Sequence, residues 1–382
     1  MPLYQYNNQI KSIVIEKGIT SIGDYAFYGM PALTEVQIAD GVTIVGGYAF
    51  KNCTKLTNAE LPQTVKKLGE SAFYGCSSLR KIVIPEGIYT VWAYTFKNCT
   101  KLEEVTFPST LIKIDEAAFY GCASLKELNI PNNVSIIGIY SFKNCSALQK
   151  VTLPSKLQTI SEAAFYATAL SELIIPDQVT EVGKYAFKNC VSLKKVQWSS
   201  NLKKIDDSAF YACTGLTSLE LPDTVTEIGD YAFRRCTGLQ NVKFASELKT
   251  IGESSFYGCA NLTELVLPEG LETVKGYAFK GCAKVSSVTL PSTMKVMGES
   301  AFYECSELTS IEIPAAVGTV GDYAFSRCAK LGTVKFLGNA PKIGANAFAR
   351  VTAKVSYPEG NKTWTQDIQK NYGGSLSWSA DK

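Results

Sequence analysis

Short segments in which apolar and polar residues alternate return every 23 residues along almost the whole chain. Each segment holds two apolar residues two positions apart, such as Val36 and Ile38, and usually ends at a Pro. Leu265 and Leu267 occupy the same two positions late in the chain. Alternation with a period of two among β-branched residues predicts a short strand, which Pro ends because it has no N–H to continue a β-ladder. The pattern therefore predicts one short strand in each repeat.

The second half of each repeat is built around an Ala-Phe pair. The fifteen Phe residues that mark it are spaced by 23, with one step of 22: Phe27, Phe50, Phe73, Phe96, Phe119, Phe142, Phe165, Phe187, Phe210, Phe233, Phe256, Phe279, Phe302, Phe325 and Phe348. A Gly, Asp or Ser followed by an acid, as in Asp115 and Glu116, resembles a helix N-terminus. Gly or Asn two positions after the Phe, as in Gly29 and Asn52, tolerates the left-handed conformation that ends a helix. This half therefore predicts a single helical turn.

Stacked copies of such a repeat can share a core that one copy cannot form alone. We expect right-handed coils whose strands form one parallel sheet, with polar strand positions such as Glu35 on one long exposed face. This array, over residues 1–350, has no independent globular domains. Residues 351–382 are expected to cap it with a helical stretch, TWTQDIQKNYGG, and a final strand, SLSW, using Trp364 and Trp378 as apolar plugs.

The run L-x-x-V-x-I-P…I-G-x-x-A-F-x-x-C closely resembles the 23-residue leucine-rich repeats of the BspA-like group, over roughly residues 10–350. This resemblance implies an α/β repeat fold, a right-handed leucine-rich-repeat solenoid with a parallel β-sheet on the concave face and short helical turns on the convex face. It also implies a secreted or cell-surface bacterial protein that binds a host or neighbouring-cell surface or matrix protein. The first eighteen residues show no leader pattern, a departure from what the family implies.

Composition narrows the chemistry that the chain can perform. There is no His, which excludes Ser-His and Cys-His catalysis and His-containing zinc sites. The 38 basic and 35 acidic residues leave a net charge of +3, which gives no reason to expect a nucleic-acid partner. No apolar run approaches the length of a transmembrane segment. We therefore predict no catalytic, cofactor-binding or metal-binding residues, and no cofactor.

All twelve Cys residues lie three positions after a repeat Phe, from Cys53 to Cys145 and from Cys190 to Cys328. Disulfides between neighbouring coils or a metal site are the functional alternatives. The two runs hold five and seven Cys, so pairing neighbours leaves one over in each, and no Cys-x-x-Cys spacing occurs. The pattern favours a buried column of free thiols that act as small apolar side chains.

Tyr alternates between two positions of successive repeats, two before the Phe, as in Tyr48, and one after it, as in Tyr74. Where Tyr comes early, the later position usually holds Lys or Arg, as in Lys51. The alternation indicates a 46-residue double repeat, in which basic stems lie along the rings of neighbouring coils. A strip of aromatic residues for sugars or peptides is the functional alternative, which regular alternation along the whole chain disfavours.

One local irregularity follows Phe165, where the period shortens by one and a Cys is missing. One coil later Trp198 takes the core position of the strand and Ser199 replaces the Pro. The exposed sheet face nearby supplies the candidate partner-binding residues: Lys150, Glu172, Ile174, Lys195, Gln197, Ser218 and Glu220. A tolerated deletion, repaired by a larger core residue, explains the same irregularity without a partner.

The sequence as a whole predicts a non-enzymatic, adhesin-like protein that binds a protein partner with the concave sheet face. The alternative is a carbohydrate-binding or scaffold module of an extracellular enzyme system. A carboxylate- or lysine-dependent enzyme is a third possibility, and it requires a cleft lined with clustered acids.

Overall fold

The computed structural model describes residues 7–381, which fold into two compact units. The first unit comprises residues 7–179 together with Ala186–Cys190, and the second comprises Thr180–Tyr185 together with residues 191–381. Each unit is a parallel β-solenoid of stacked leucine-rich-repeat coils. The first six residues, part of the segment predicted to lack a leader, lie outside the described residues.

The first unit contains two series of strands, and each coil contributes one strand to each series. In chain order they are β1 (Ser12–Ile15), β2 (Ser21–Ile22), β3 (Glu35–Ile38), β4 (Ile44–Val45), β5 (Asn58–Ala59), β6 (Lys67–Leu68), β7 (Lys81–Val83), β8 (Thr90–Val91), β9 (Glu104–Thr106), β10 (Lys113–Ile114), β11 (Glu127–Asn129), β12 (Ile136–Ile137), β13 (Lys150–Thr152), β14 (Thr159–Ile160) and β15 (Glu172–Ile174). The odd-numbered strands pair as β1-β3-β5, β7-β9 and β11-β13, and the even-numbered ones as β2-β4-β6 and β8-β10-β12, all in parallel. Paired residues are 23 positions apart, as Val14 and Gln37 are, so each sequence column stays on one face.

The second unit repeats this arrangement and ends in two longer strands. In chain order they are β16 (Glu181–Val182), β17 (Lys195–Gln197), β18 (Lys204–Ile205), β19 (Ser218–Glu220), β20 (Glu227–Ile228), β21 (Asn241–Lys243), β22 (Thr250–Ile251), β23 (Glu264–Val266), β24 (Thr273–Val274), β25 (Ser287–Thr289), β26 (Val296–Met297), β27 (Ser310–Ile313), β28 (Thr319–Val320), β29 (Thr333–Phe336), β30 (Lys342–Ile343), β31 (Thr352–Pro358) and β32 (Ser375–Asp381). The even-numbered strands from β16 to β30 form one parallel ladder. The odd-numbered strands pair as β19-β21, β23-β25 and β27-β29-β31, and β32 extends the last group.

The odd-numbered strands are the ones that the alternating pattern predicted. In β7, for example, Ile82 is buried between exposed Lys81 and Val83. The even-numbered strands from β2 to β30 were not predicted, because two-residue strands are too short to show a period. Each coil therefore has two strands, and only one of them is visible in the sequence.

The predicted helical turn is wrong, since residues 7–381 contain no helix. Tyr48 and Asn52, on either side of Phe50, have φ values of 58° and 63°. An α-helix needs consecutive negative φ values, so these residues interrupt it. The N–H groups of Phe50 and Asn52 instead donate to the carbonyl groups of Ala72 and Tyr74 in the next coil. The segment is a stacked turn whose alternate N–H groups bond between coils.

The Gly column before the Ala-Phe pair is explained by close approach of neighbouring coils and not by helix capping. A Cβ added to Gly252 would lie 2.5 Å from the carbonyl oxygen of Gly229, and one added to Gly69 would lie 2.3 Å from the backbone nitrogen of Gly47. Real Cβ atoms do not come this close to backbone, so any larger residue must push the coils apart. Gly23, at the same position of the first coil, has nothing within 4 Å.

A column of stacked Phe rings forms the centre of the core in both units. Phe50 and Phe73 have ring centroids 5.2 Å apart in the first unit, and Phe302 and Phe325 are 5.5 Å apart in the second. All four rings are fully buried. Offset aromatic stacks at this spacing add to the stability that burial of the rings provides.

The predicted final strand is present as β32, whereas the predicted helical stretch before it consists of turns. Trp364 is 5% exposed, contacts the ring of Phe336 at 4.7 Å and donates from Nε1 to the Gly338 carbonyl at 3.0 Å. Trp378 is half-buried, with its ring 5.6 Å from that of Trp364. Both Trp rings cover the last coils, and the boundary between solenoid and cap at residue 350 stays a prediction.

Candidate binding surface

Three of the predicted partner-binding residues lie on odd-numbered strands of the first unit. Lys150 begins β13, and Glu172 and Ile174 lie at the two ends of β15. All three side chains are exposed, and Ile174 is 62% exposed. Ile174 and Glu172 therefore project on the same side of β15, with buried Leu173 between them.

The other four predicted residues lie in the second unit. Lys195 and Gln197 are the end residues of β17, and Ser218 and Glu220 are those of β19; all four are exposed. The parallel pairing of β19 with β21 places Glu220 opposite Lys243. Lys243 Nζ lies 2.9 Å from Glu220 Oε1, and this carboxylate raises the pKa of Lys243.

Three of these residues, Lys195, Gln197 and Glu220, line one open groove of about 490 Å³ in the second unit. Trp198 and Lys243 line the same groove, which we call the Trp198 groove. Its polar groups are two ammonium groups, two carboxylates and one amide, which line the groove together with the indole ring. The groove can therefore offer both hydrogen bonds and an aromatic contact to a bound molecule.

Trp198 fills the core column only in part. Its ring packs edge-on against Phe210 with centroids 5.3 Å apart, as a core residue would. Leu221, one coil later in the same column, is 2% exposed, whereas Trp198 is half-buried. The half-buried indole therefore lines the groove as well as the core.

Sequence reasoning missed Lys243 and assigned Trp198 to the core alone. Lys243 lies 23 residues after Glu220, so the repeat spacing alone was enough to place the two side by side. The exposure of Trp198 had a weaker signal in the sequence, namely a Trp in a column that holds Ile175 and Leu221 in the neighbouring coils.

Residues 7–381 contain no group of three or more His, Cys, Asp or Glu residues that could hold a metal ion. Within the same residues, no helix has the length and apolar character needed to cross a membrane.

The sequence matches a model of the BspA type leucine-rich repeat region, which comprises six copies. The matched segments overlap and together cover residues 3–354: residues 3–126, 67–194, 112–240, 158–285 and 226–354. The chain belongs to the BspA-type leucine-rich repeat family. Leucine-rich-repeat proteins bind other proteins in general, and repeats of this family are generally non-enzymatic.

Two solved bacterial structures are similar to this BspA-type chain. A leucine-rich repeat protein from Bacteroides ovatus is 28% identical, with a TM-score of 0.75, over 97% of this chain and 92% of that one. A leucine-rich repeat protein from Eubacterium ventriosum is also 28% identical, with a TM-score of 0.50, over 85% of each chain. A comparison with curated proteins found no match.

The Cys column of the BspA-type repeat is buried along its whole length. All twelve Cys residues are thiols that form no disulfide, and each residue is 0% exposed. The Cys76 thiol lies 3.1 Å from the Phe50 carbonyl oxygen, to which it donates. Burial raises the pKa of Cys53 and Cys190 to about 11, and that of Cys236 to about 12. Protonated, buried thiols are poor nucleophiles and poor metal ligands, so the column has the packing role that the sequence indicated.

The Tyr and Lys columns contact each other between coils, as the double repeat predicted. Lys97 Nζ lies 5.1 Å from the ring centroid of Tyr94 and 4.7 Å from that of Tyr120. The Tyr94 hydroxyl donates to Glu116 at 2.5 Å, and this bond raises the pKa of Tyr94 to about 12. The Lys side chain and the Tyr hydroxyl group thus contact residues of the neighbouring coil. These contacts favour a packing role in these coils over a strip of aromatic residues that binds a ligand.

Proposed function

We propose that this chain is a non-enzymatic, adhesin-like binding protein that is secreted or held at a bacterial cell surface. Its partner is a protein of a host or neighbouring cell surface or matrix, which contacts the exposed face of the odd-numbered strands. The Trp198 groove is the observation that carries the proposal. The cellular location rests on the resemblance to BspA-like proteins and on nothing in the fold itself.

The groove has the composition of a protein-binding hot spot. Trp is enriched at such positions because one rigid side chain buries a large area when a partner covers it. Lys195, Glu220 and Lys243 surround it with charges of both signs, which suits a polar rim around an apolar centre. Glu220 and Lys243 already pair with each other at this rim.

Lys150, Glu172 and Ile174 form a second candidate surface, within the first unit. Ile174 supplies an exposed apolar side chain beside an exposed acid, again on odd-numbered strands. We propose it as a contact for the same class of partner and test it separately from the groove.

Binding is best measured by biolayer interferometry with the full chain and a panel of immobilised matrix and serum proteins. For a partner that binds, Trp198→Leu is expected to weaken affinity about 30-fold, the effect of losing a hot spot of ~2 kcal/mol. Leu occupies the same column at Leu221, so this variant keeps a natural core residue. Charge reversals at Lys195 and Glu172 are expected to weaken binding more modestly.

Matched controls are charge reversals at Lys51 and Lys143, which lie on the turns and contact Tyr rings. All variants are first checked for an unchanged circular dichroism spectrum. Equal losses of affinity on the turns and on the strands would contradict the assignment of the binding face. Retention of full affinity by Trp198→Leu would remove the groove from the interface.

A further inference from the structure

A second pocket lies in the first unit, beside the even-numbered strands β4 and β6. It has a volume of about 390 Å³ and is lined by Tyr25, Tyr48, Trp92, Asp24, Glu70 and Lys67, with Ile44 and three Gly residues. We call it the Trp92 pocket. Its volume falls within the range of small-molecule sites, about 300–1,000 Å³.

Glycine residues create the space in this pocket. Gly46 and Gly69 belong to the Gly column, where a Cβ would clash with the backbone of the preceding coil. Gly47 is different, because its column holds acids in the neighbouring coils, Asp24 and Glu70. A Cβ at Gly47 would lie 3.4 Å from the Glu70 carbonyl oxygen and 3.7 Å from Asp24 Oδ1, without a clash, so packing does not require Gly there. The missing side chain leaves a gap between the two carboxylates.

Three aromatic rings form the walls of this gap. Tyr25 and Tyr48 stack in parallel, with ring centroids 4.7 Å apart and planes 1° apart. Tyr25 remains 47% exposed and Trp92 42% exposed. Trp92 stands where neighbouring coils have Gly69 and Asp115, so the core does not demand an indole at this position. Two departures from the repeat, Gly47 and Trp92, thus meet in one pocket.

The polar groups of the pocket have free capacity for a ligand. Asp24 accepts the Gly47 N–H through Oδ1 at 2.7 Å, and Glu70 accepts the Tyr48 hydroxyl through Oε1 at 3.2 Å. The other oxygen of each carboxylate has no hydrogen-bond partner in the part of the chain that the structure describes. The same holds, within residues 7–381, for the indole N–H of Trp92 and the ammonium group of Lys67.

This combination fits a ring with an apolar face and a polar edge. Open aromatic faces bind the apolar face, while carboxylates accept from hydroxyl groups and the ammonium and indole N–H groups donate to them. Two carboxylates disfavour an anion, and Lys67 beside them disfavours a simple cation. An uncharged molecule that both donates and accepts hydrogen bonds satisfies every group.

We propose that the Trp92 pocket binds a saccharide, an uncharged hexose or N-acetylhexosamine unit of a glycan. This site lies in the first unit, whereas the Trp198 groove lies in the second, and it requires no protein partner. The chain then carries a glycan site in the first unit in addition to the surface proposed for protein binding.

The test is a glycan array probed with the full chain, followed by isothermal titration calorimetry with the best neutral oligosaccharide. Trp92→Gly is expected to weaken binding at least tenfold, because it removes one aromatic wall of the pocket. The preceding coil has Gly69 at the same position, so the fold should tolerate this change. Gly47→Glu refills the gap with the residue found at Glu70, and the same tenfold loss is expected. Trp198→Leu is the matched control, and saccharide affinity should stay unchanged.

Choline chloride and free lysine are titrated in parallel as cationic probes. Binding of either one in the pocket, without binding of any neutral glycan, would overturn the proposal in favour of an ammonium site. Absence of glycan binding, or glycan binding that survives both Trp92→Gly and Gly47→Glu, would also overturn it. Trp198→Leu tests the protein-binding proposal, whereas Trp92→Gly and Gly47→Glu test the glycan proposal. Failure of one proposal can therefore be told apart from failure of the other.

Discussion

At the scale of single residues, the positions that repeat most strictly serve contacts between coils. Tyr48 and Asn52 adopt positive φ so that Phe50 can bond to the next coil. Asn is a common residue in this conformation and Tyr is not, so the stack of coils must enforce it at Tyr48. A residue's own preference explains the Asn column, whereas only the neighbouring coils explain the Tyr column.

The Cys column leads to a prediction about its thiols. Because all twelve are buried and protonated, the native protein should react with Ellman's reagent only as fast as it unfolds. In urea without a reducing agent, twelve thiols per chain should be titrated. A lower count in urea would reveal disulfides, and fast reaction of the native protein would show that the column is accessible.

At the scale of elements, neighbouring coils approach each other closely at glycines such as Gly69 and Gly252, where there is no room for a side chain. The Gly column brings the backbone of one coil against that of the coil before it. From β7 to β27 the odd-numbered strands also show the two-coil period, because the central residue alternates between buried Leu or Ile and half-buried Val, as in Leu128 and Val151. The double repeat seen in Tyr therefore extends around the coil.

The Gly column can be tested with a pair of identical substitutions. Gly252→Ala places a Cβ 2.5 Å from the Gly229 carbonyl oxygen, so the coils must separate and stability should fall by about 1–3 kcal/mol. Gly23→Ala, at the same column but with open space around it, should change stability by less than about 0.5 kcal/mol. Urea denaturation followed by circular dichroism gives both values. Similar losses in the two variants would show that close approach is not the reason for Gly.

At the scale of the whole molecule, each unit depends on a continuous core of like residues. The stacked Phe rings from Phe50 to Phe348 and the thiols beside them are fully buried in both units. A contribution to stability that is small in one coil is therefore repeated along the unit. A change of pH in the same way acts on every Cys of the column.

Alkaline pH should for this reason lower the stability of the chain. The folded-state pKa of Cys53 and Cys190 is about 11, above the value of roughly 8.5 for an unfolded thiol. Unfolding then releases protons above pH ~8.5, so stability that is complete below this pH is lost as pH rises toward 11. Each thiol can contribute a slope of up to about 1.4 kcal/mol per pH unit.

The measurement is the urea midpoint between pH 7.5 and 9.5, a range below the ordinary titration of Tyr and Lys. A variant with Cys236, Cys259 and Cys282 changed to Ala should show a smaller decline than the parent chain. An equal decline in both proteins would mean that other groups cause the pH dependence.

The sequence by itself determined the 23-residue period, the odd-numbered strands, the buried Phe and Cys columns and the family. Each of these follows from the spacing and polarity of residues along the chain, which do not depend on how the chain folds. The tertiary structure alone decided the turn conformation, the even-numbered strands from β2 to β30 and the two pockets. Those features depend on hydrogen bonds and close approaches between residues about 23 positions apart, such as Phe50 with Ala72 or Gly69 with Gly47. Local preferences suggested a helix because Asp, Gly and Asn suit helix ends, but the neighbouring coil supplies better partners for the same backbone groups.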